Sequence, residues 1–113
     1  MANKKLKAPR HVRLMPEWLG QSGLWLADAQ GAFDASDAEE IGLSDDLADR
    51  LEAWMDEFDS TYDEDDPAAS CFASAAAFAA WQVEGEAIAR AIRAQLDPDE
   101  SLDVQLPKNL VPQ

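Results

Sequence analysis

Leu47, Leu51, Trp54, Met55, Phe58 and Tyr62 recur at the spacing that lines up one face of an α-helix. A face this apolar has to be buried, so the segment demands a packing partner. Its start is also marked. Ser44 is a good N-cap, and Asp45 and Asp46 fall in the first turn, where the helix end is positive. Pro67 disfavours helix at the residue before it, which predicts a stop near Asp63–Pro67.

The partner follows in the chain. Phe78, Trp81, Gly85, Ile88, Ile92 and Leu96 form a second apolar line and predict a helix from Ala68 to Leu96, with a break near Ser74. Residues 67–83 carry no charge, but they are mostly Ala and begin at a proline. A membrane span needs about 20 strongly apolar residues, so a close-packed core helix is expected instead. Gly85 costs a helix about 1 kcal/mol relative to Ala and marks the expected tightest crossing.

Two short strands complete the pattern. Gly23-Leu24-Trp25-Leu26 follows a glycine turn, and Leu102 to Leu106 alternates with period two before Pro107. The proline makes this strand short and places it at an edge. Residues 27–42 are polar, acidic and glycine-containing, and read as a loop. The expected fold is α+β and predominantly helical: two long antiparallel helices packed on a small β-sheet holding the Trp25 and Val104 strands. The 113 residues suffice for one domain, expected over 14–113, with 1–13 as a flexible basic tail.

Charge is the second strong feature. The chain holds 23 acids and nine bases, a net charge of −14, and the first 13 residues carry five of the bases and no acid. From Asp28 to Asp66 there are 16 acids and one base, Arg50. Such a surface repels nucleic acid and anionic membranes and attracts basic protein. Opposite the apolar face of the first helix, Asp45, Asp49, Glu52, Asp56, Asp59 and Asp63 follow at steps of four and three. Each like-charge step costs about 0.2–0.5 kcal/mol, so five cost on the order of 1–2.5 kcal/mol. A helix selected only for stability would interleave lysines. A solvated or halophilic surface is the plain alternative, but the local concentration and the basic start favour a surface for a basic partner.

Chemistry-bearing motifs are scarce. The single histidine, His11, falls in the tail, and Gly20-Gln21-Ser22-Gly23 is not a nucleophile elbow. No phosphate loop, dinucleotide fingerprint or Cys/His metal spacing occurs. Asp59, Thr61, Asp63 and Asp65 superficially suggest a calcium loop, but Glu64 stands where it needs Gly and Ser70 where it needs Glu. A carboxylate-only hydrolase is formally open, but no acid pair stands out. Cys71, the single cysteine, reads as a small buried residue; with no disulfide available, a reducing compartment fits. Pro16, Glu17, Gln21 and Ser22 interrupt the apolar stretch that a secretory leader would need. The expectation is a cytoplasmic, non-enzymatic protein with no cofactor and no metal.

Several short pieces resemble a known group. They are Ser22-Gly23-Leu24-Trp25, Ile41-Gly42-Leu43-Ser44-Asp45-Asp46-Leu47, Trp54 with Phe58-Asp59, Phe78 before Glu84-Gly85, Ile88-Ala89, and the strand at Val104. Together they resemble small bacterial immunity proteins, the antidotes of contact-dependent and secreted polymorphic toxins. The resemblance implies an antitoxin-like protein that binds and neutralises a cognate toxin, with a nuclease-like basic active-site surface as the target. The residues expected to meet it are Asp28, Asp34, Asp37, Glu39 and Glu40, the stripe Asp45, Asp49, Glu52, Asp56, Asp59 and Asp63, then Glu64, Asp65 and Asp66. Trp18 is the candidate aromatic anchor, with core-capping as its alternative role. Other readings are a nucleic-acid mimic that blocks a DNA-binding protein and a chaperone or adaptor for a secreted effector.

Overall fold

The computed structural model describes residues 9–19 and 21–112. Four strands form one mixed sheet: β1 (His11–Leu14), β2 (Leu24–Ala27), β3 (Phe33–Ala35) and β4 (Ser101–Val104), in the order β3-β2-β1-β4. The pairs β1–β2 and β2–β3 are antiparallel, and β1–β4 is parallel. Among the described residues three α-helices accompany them: α1 (Ala38–Ile41), α2 (Asp45–Asp59) and α3 (Ala75–Gln95). The architecture is α+β, as the sequence predicts.

The expected tail boundary at residue 13 does not hold. His11–Leu14 is an inner strand, and Val12 and Leu14 are fully buried. His-Val-Arg-Leu alternates polar and apolar, as a half-buried strand requires, but the run of basic residues around it hides the alternation. His11 is not incidental either: its Nδ1 lies 2.7 Å from the Ser101 hydroxyl on β4. Residues 1–8 of the expected tail lie outside the described residues. Because β1 sits between β2 and β4, the Trp25 and Val104 strands share a sheet without touching.

The loop expected over 27–42 contains β3 and α1. Asp37 caps α1 by accepting from the Glu40 amide, and Gly42 ends it in the left-handed region at φ 92°. Asp28 closes the β2–β3 turn by accepting from the amides of Gln30 and Ala32. The acids that make this stretch look like loop thus cap its local structure.

Ser44 caps α2 as expected, but the helix ends at Asp59, so Tyr62 and Asp63 lie beyond it. The second helix is shorter than expected. A 3₁₀ turn at Pro67–Ala69 comes first, and α3 starts only after Ser74, its N-cap. Cys71 is half-buried and free, not fully buried.

The core lies between the sheet and the two longer helices. Leu47, Leu51, Trp54, Met55 and Phe58 of α2 meet Phe78, Trp81, Ile88 and Ile92 of α3 and Val12, Leu14 and Leu24 of the sheet. At full burial each aliphatic or aromatic side chain contributes about 1.5–3 kcal/mol. Gly85 sits directly against Trp54 of α2: a Cβ there would fall 2.6 Å from Cζ2 of Trp54. The close crossing read from Gly85 is present.

Candidate partner-binding site

The nominated acids divide by what holds them. Asp28 and Asp37 cap backbone amides, and Asp63 accepts from the amides of Asp65 and Asp66. Glu40 accepts from the Ser36 hydroxyl. These four perform structural work where they stand. Asp34, Glu39, Asp45, Asp49, Glu52, Asp56, Glu64, Asp65 and Asp66 are exposed.

The structure brings five of the acids together. A cleft of about 530 Å³ opens between α2 and the segments before it. Asp37 and Glu39 stand on one wall, and Glu52, Asp56 and Asp59 on the other. Ala38, Ala48, Leu51 and Met55 give it an apolar floor, while Gln21 and Ser22 close one end. Gly23 permits this closeness. It takes φ 85°, and an added Cβ would lie 2.9 Å from the Met55 sulfur. Asp45 and Asp49 continue the negative face along α2 outside the cleft. Asp28 and Asp34 lie at the β3 edge of the sheet, and Asp63–Asp66 follow α2 in the chain.

Among the described residues no base pairs with the acids of the cleft. The ion pairs among the described residues are Arg10–Glu100, Arg13–Asp103 and Arg50–Glu84. None uses an acid of the α2 stripe. Arg50, the one base in the acidic stretch, grips Glu84 of α3 with both ends of its guanidinium at 2.6 and 2.9 Å. That hydrogen bonding holds the Glu84 carboxyl below its usual range. The stripe is shortened from five like-charge steps to four by the helix end at Asp59, for a cost of about 0.8–2 kcal/mol.

Asp59 differs from the other acids of the α2 stripe in being half-buried. Its Oδ1 is sealed from solvent and has no hydrogen-bond partner among the described residues. Burial, with the nearby Asp56 charge as a smaller contribution, pushes its carboxyl above the usual range. A charge-bearing oxygen without a donor is costly.

Trp18 packs against the core. Its ring stacks on Phe58 at 4.9 Å, and its indole N–H donates to the Phe58 carbonyl at 3.0 Å and to the Thr61 hydroxyl. This is the packing of a core-capping tryptophan, with the side chain half-buried. Gln21, Ser22 and α1 are the site elements that sequence reasoning missed. The signal for α1 was present: Asp37 with Glu40 three residues on, then Gly42, has the form of a capped turn.

Among the described residues no helix is long and apolar enough to cross a membrane. Among them, too, no three His, Cys, Asp or Glu side chains converge to hold a metal ion. Comparison with protein families matches residues 10–104 to a model described as Serratia CdiI immunity protein-like. Comparison with curated proteins gives no match.

Proposed function

The chain belongs to the Serratia CdiI immunity protein-like family, and from that premise we propose that it neutralises its cognate toxin by covering a basic surface with the acidic face of α2 and the cleft beside it. Membership gives contact-dependent-inhibition immunity and a toxin partner. The acidic contact surface, the basic target and action in the cytoplasm of the producing cell are our reading. One observation carries it: Asp37, Glu39, Glu52, Asp56 and Asp59 line a single cleft, and no base of the described chain pairs with them.

The chemistry suits a cationic partner. Lys and Arg have apolar stems and charged heads. The floor of Leu51 and Met55 accepts a stem, and the walls accept a head. A nuclease toxin needs a basic surface to hold phosphates, and a carboxylate face laid on that surface competes with its substrate. Long-range attraction raises the rate of encounter, most strongly at low salt.

The test replaces Asp49, Glu52, Asp56 and Asp59 together with Asn or Gln. Its partner is the cognate toxin domain, purified in an inactivated form. Association should slow on the order of tenfold at low salt, with less effect at high salt. An association rate unchanged at both salt concentrations would remove the acidic face from the mechanism. Retention of many unrelated basic proteins with equal affinity would favour the nucleic-acid mimic instead.

A further inference from the structure

The two edges of the sheet are finished differently. β3 is three residues long, with Asp34 at its middle. Asp34 pairs with Leu26, and Leu26 pairs with the fully buried Val12, so the acid stands on the core-facing side of its strand. A very short edge strand with an inward charge is a poor template for another strand. β4 has neither an inward charge nor an edge proline. Leu102 and Val104 take its core-facing positions, opposite Val12 and Leu14, and Val104 is 41% exposed.

Half of the β4 backbone is spent on β1. The Ser101 amide donates to the Arg10 carbonyl at 3.1 Å, and the Gln105 amide donates to the Leu14 carbonyl at 2.9 Å. Backbone groups alternate in direction along a strand, so Leu102 and Val104 turn their N–H and C=O groups to the open edge. None of the described residues bonds to them. The chain after β4 leads away from this edge: Pro107 accepts from the Gln82 side chain, and Leu110 accepts from the Phe72 amide.

Charge distinguishes the edge further. A chain of net charge −14 repels its own copies, so self-association needs a place where the acids are neutralised. The acids at β4 are neutralised. Arg10 pairs with Glu100 and Arg13 with Asp103, two of the three ion pairs among the described residues.

We propose that β4 is a dimerisation edge, pairing antiparallel with β4 of a second copy and joining two four-stranded sheets into one. The contact is self-complementary. Under a two-fold axis each Leu102 and Val104 both donates to and accepts from the other copy, and both Val104 side chains lose solvent. The start of one strand then lies beside the end of the other. This brings the exposed Asp99 of one copy to the same end of the pair as the exposed Lys108 of the second. The acidic cleft is built from segments flanking β2 and β3, so both clefts stay open. The inference therefore stands apart from the toxin-binding reading.

The experiment is sedimentation equilibrium of the full chain without toxin, from about 10 μM to about 1 mM, a range suited to an interface below standard size. The parent should pass from one chain to two across it. Val104→Pro removes an N–H that the fold does not use, at an edge position where proline is tolerated. It should weaken the dimer roughly ten- to a hundredfold, for one hydrogen bond lost in each copy. Val104→Lys keeps the N–H but sets a charge on the edge, and should also hold the chain monomeric. It decides the matter if the proline variant does not fold. A parent that stays monomeric throughout overturns the proposal, as does a dimer that both variants leave unweakened. A monomeric parent whose Val104→Pro variant binds the inactivated toxin domain more weakly overturns it too, and gives the edge to the toxin.

Discussion

The indole N–H of Trp54 donates to the backbone carbonyl of Trp81 at 2.9 Å, and the indole N–H of Trp81 donates to the carbonyl of Trp54 at 3.0 Å. The rings lie 4.4 Å apart and 3° from parallel, both almost fully buried. Each helix thus satisfies a buried donor of the other, which fixes both the rotation and the height of α2 against α3. A carbonyl has two lone pairs, so this exchange need not displace a helical hydrogen bond. Trp81→Phe should cost about 2–4 kcal/mol, from lost volume and from one lost buried hydrogen bond. Urea unfolding measures it. A cost below 1 kcal/mol would mean that the exchange does not fix the crossing.

Gly85→Ala separates helix propensity from packing. In an isolated helix this change is favourable by about 1 kcal/mol. Here the new Cβ would stand 2.6 Å from Cζ2 and 3.1 Å from Cε2 of Trp54, with Leu106 Cδ1 at 3.3 Å. The Trp54 ring cannot retreat without breaking its bond to Trp81. Overpacking costs about 1–3 kcal/mol, so we expect net destabilisation despite better propensity. A raised melting temperature would show that the crossing relaxes.

Glu100 links three parts of the fold and sets an acid limit. Arg10 donates to its carboxylate at 2.6 and 3.2 Å, the Asp97 amide donates at 2.9 Å, and Arg10 also reaches the Ile41 carbonyl. The hydrogen bond from Arg10 is the main reason the carboxyl falls from an ordinary 4.5 to about 2. A depressed carboxyl stabilises the fold above its ordinary pKa and loses that contribution as pH falls through the depressed one. The shift is worth roughly 3 kcal/mol at face value, and nearer about 2 once the partial exposure of Arg10 is discounted. Glu100→Gln should therefore lower stability at pH 7 and flatten the decline between about pH 4.5 and 2. A variant with the parent's acid profile would assign that decline to other groups.

Helix α2, its Ser44 cap and the break before α3 were legible because apolar spacing and capping residues agree there. Gly85 was legible because a glycine inside a strong helical pattern needs a packing reason. The inner strand β1 was obscured by Arg10 and Arg13, which read as tail. Both are bonded to acids far away in the chain, Glu100 and Asp103. Arg13 also lies over the Phe33 ring at 3.9 Å. Such pairings depend on topology, which local pattern does not encode. The acidic stripe was visible as spacing, but the cleft was not, because its second wall comes from α1, hidden in an apparently irregular stretch. Leu19 carried no signal at all: nothing in the local pattern announces its positive φ.

Asp59→Asn sets stability against binding. A carboxyl raised by burial binds its proton more tightly in the folded state, so the parent loses stability as pH rises from the ordinary Asp range through the raised value. Asn cannot ionise and escapes that loss. It also removes the repulsion with Asp56, a like-charge pair worth about 0.2–0.5 kcal/mol. We therefore expect the variant to melt above the parent at pH 7, with the gap closing below about pH 4 as Asp59 protonates. Toxin binding should move the other way, because the variant offers an arriving cation one charge fewer. Melting curves at pH 3, 5 and 7 check the first half, and affinity for the toxin domain at pH 7 checks the second. A melting difference constant across that range would show that the buried oxygen is not what strains the site. Higher stability with undiminished affinity would remove Asp59 from the interface while leaving the rest of the acidic face in place.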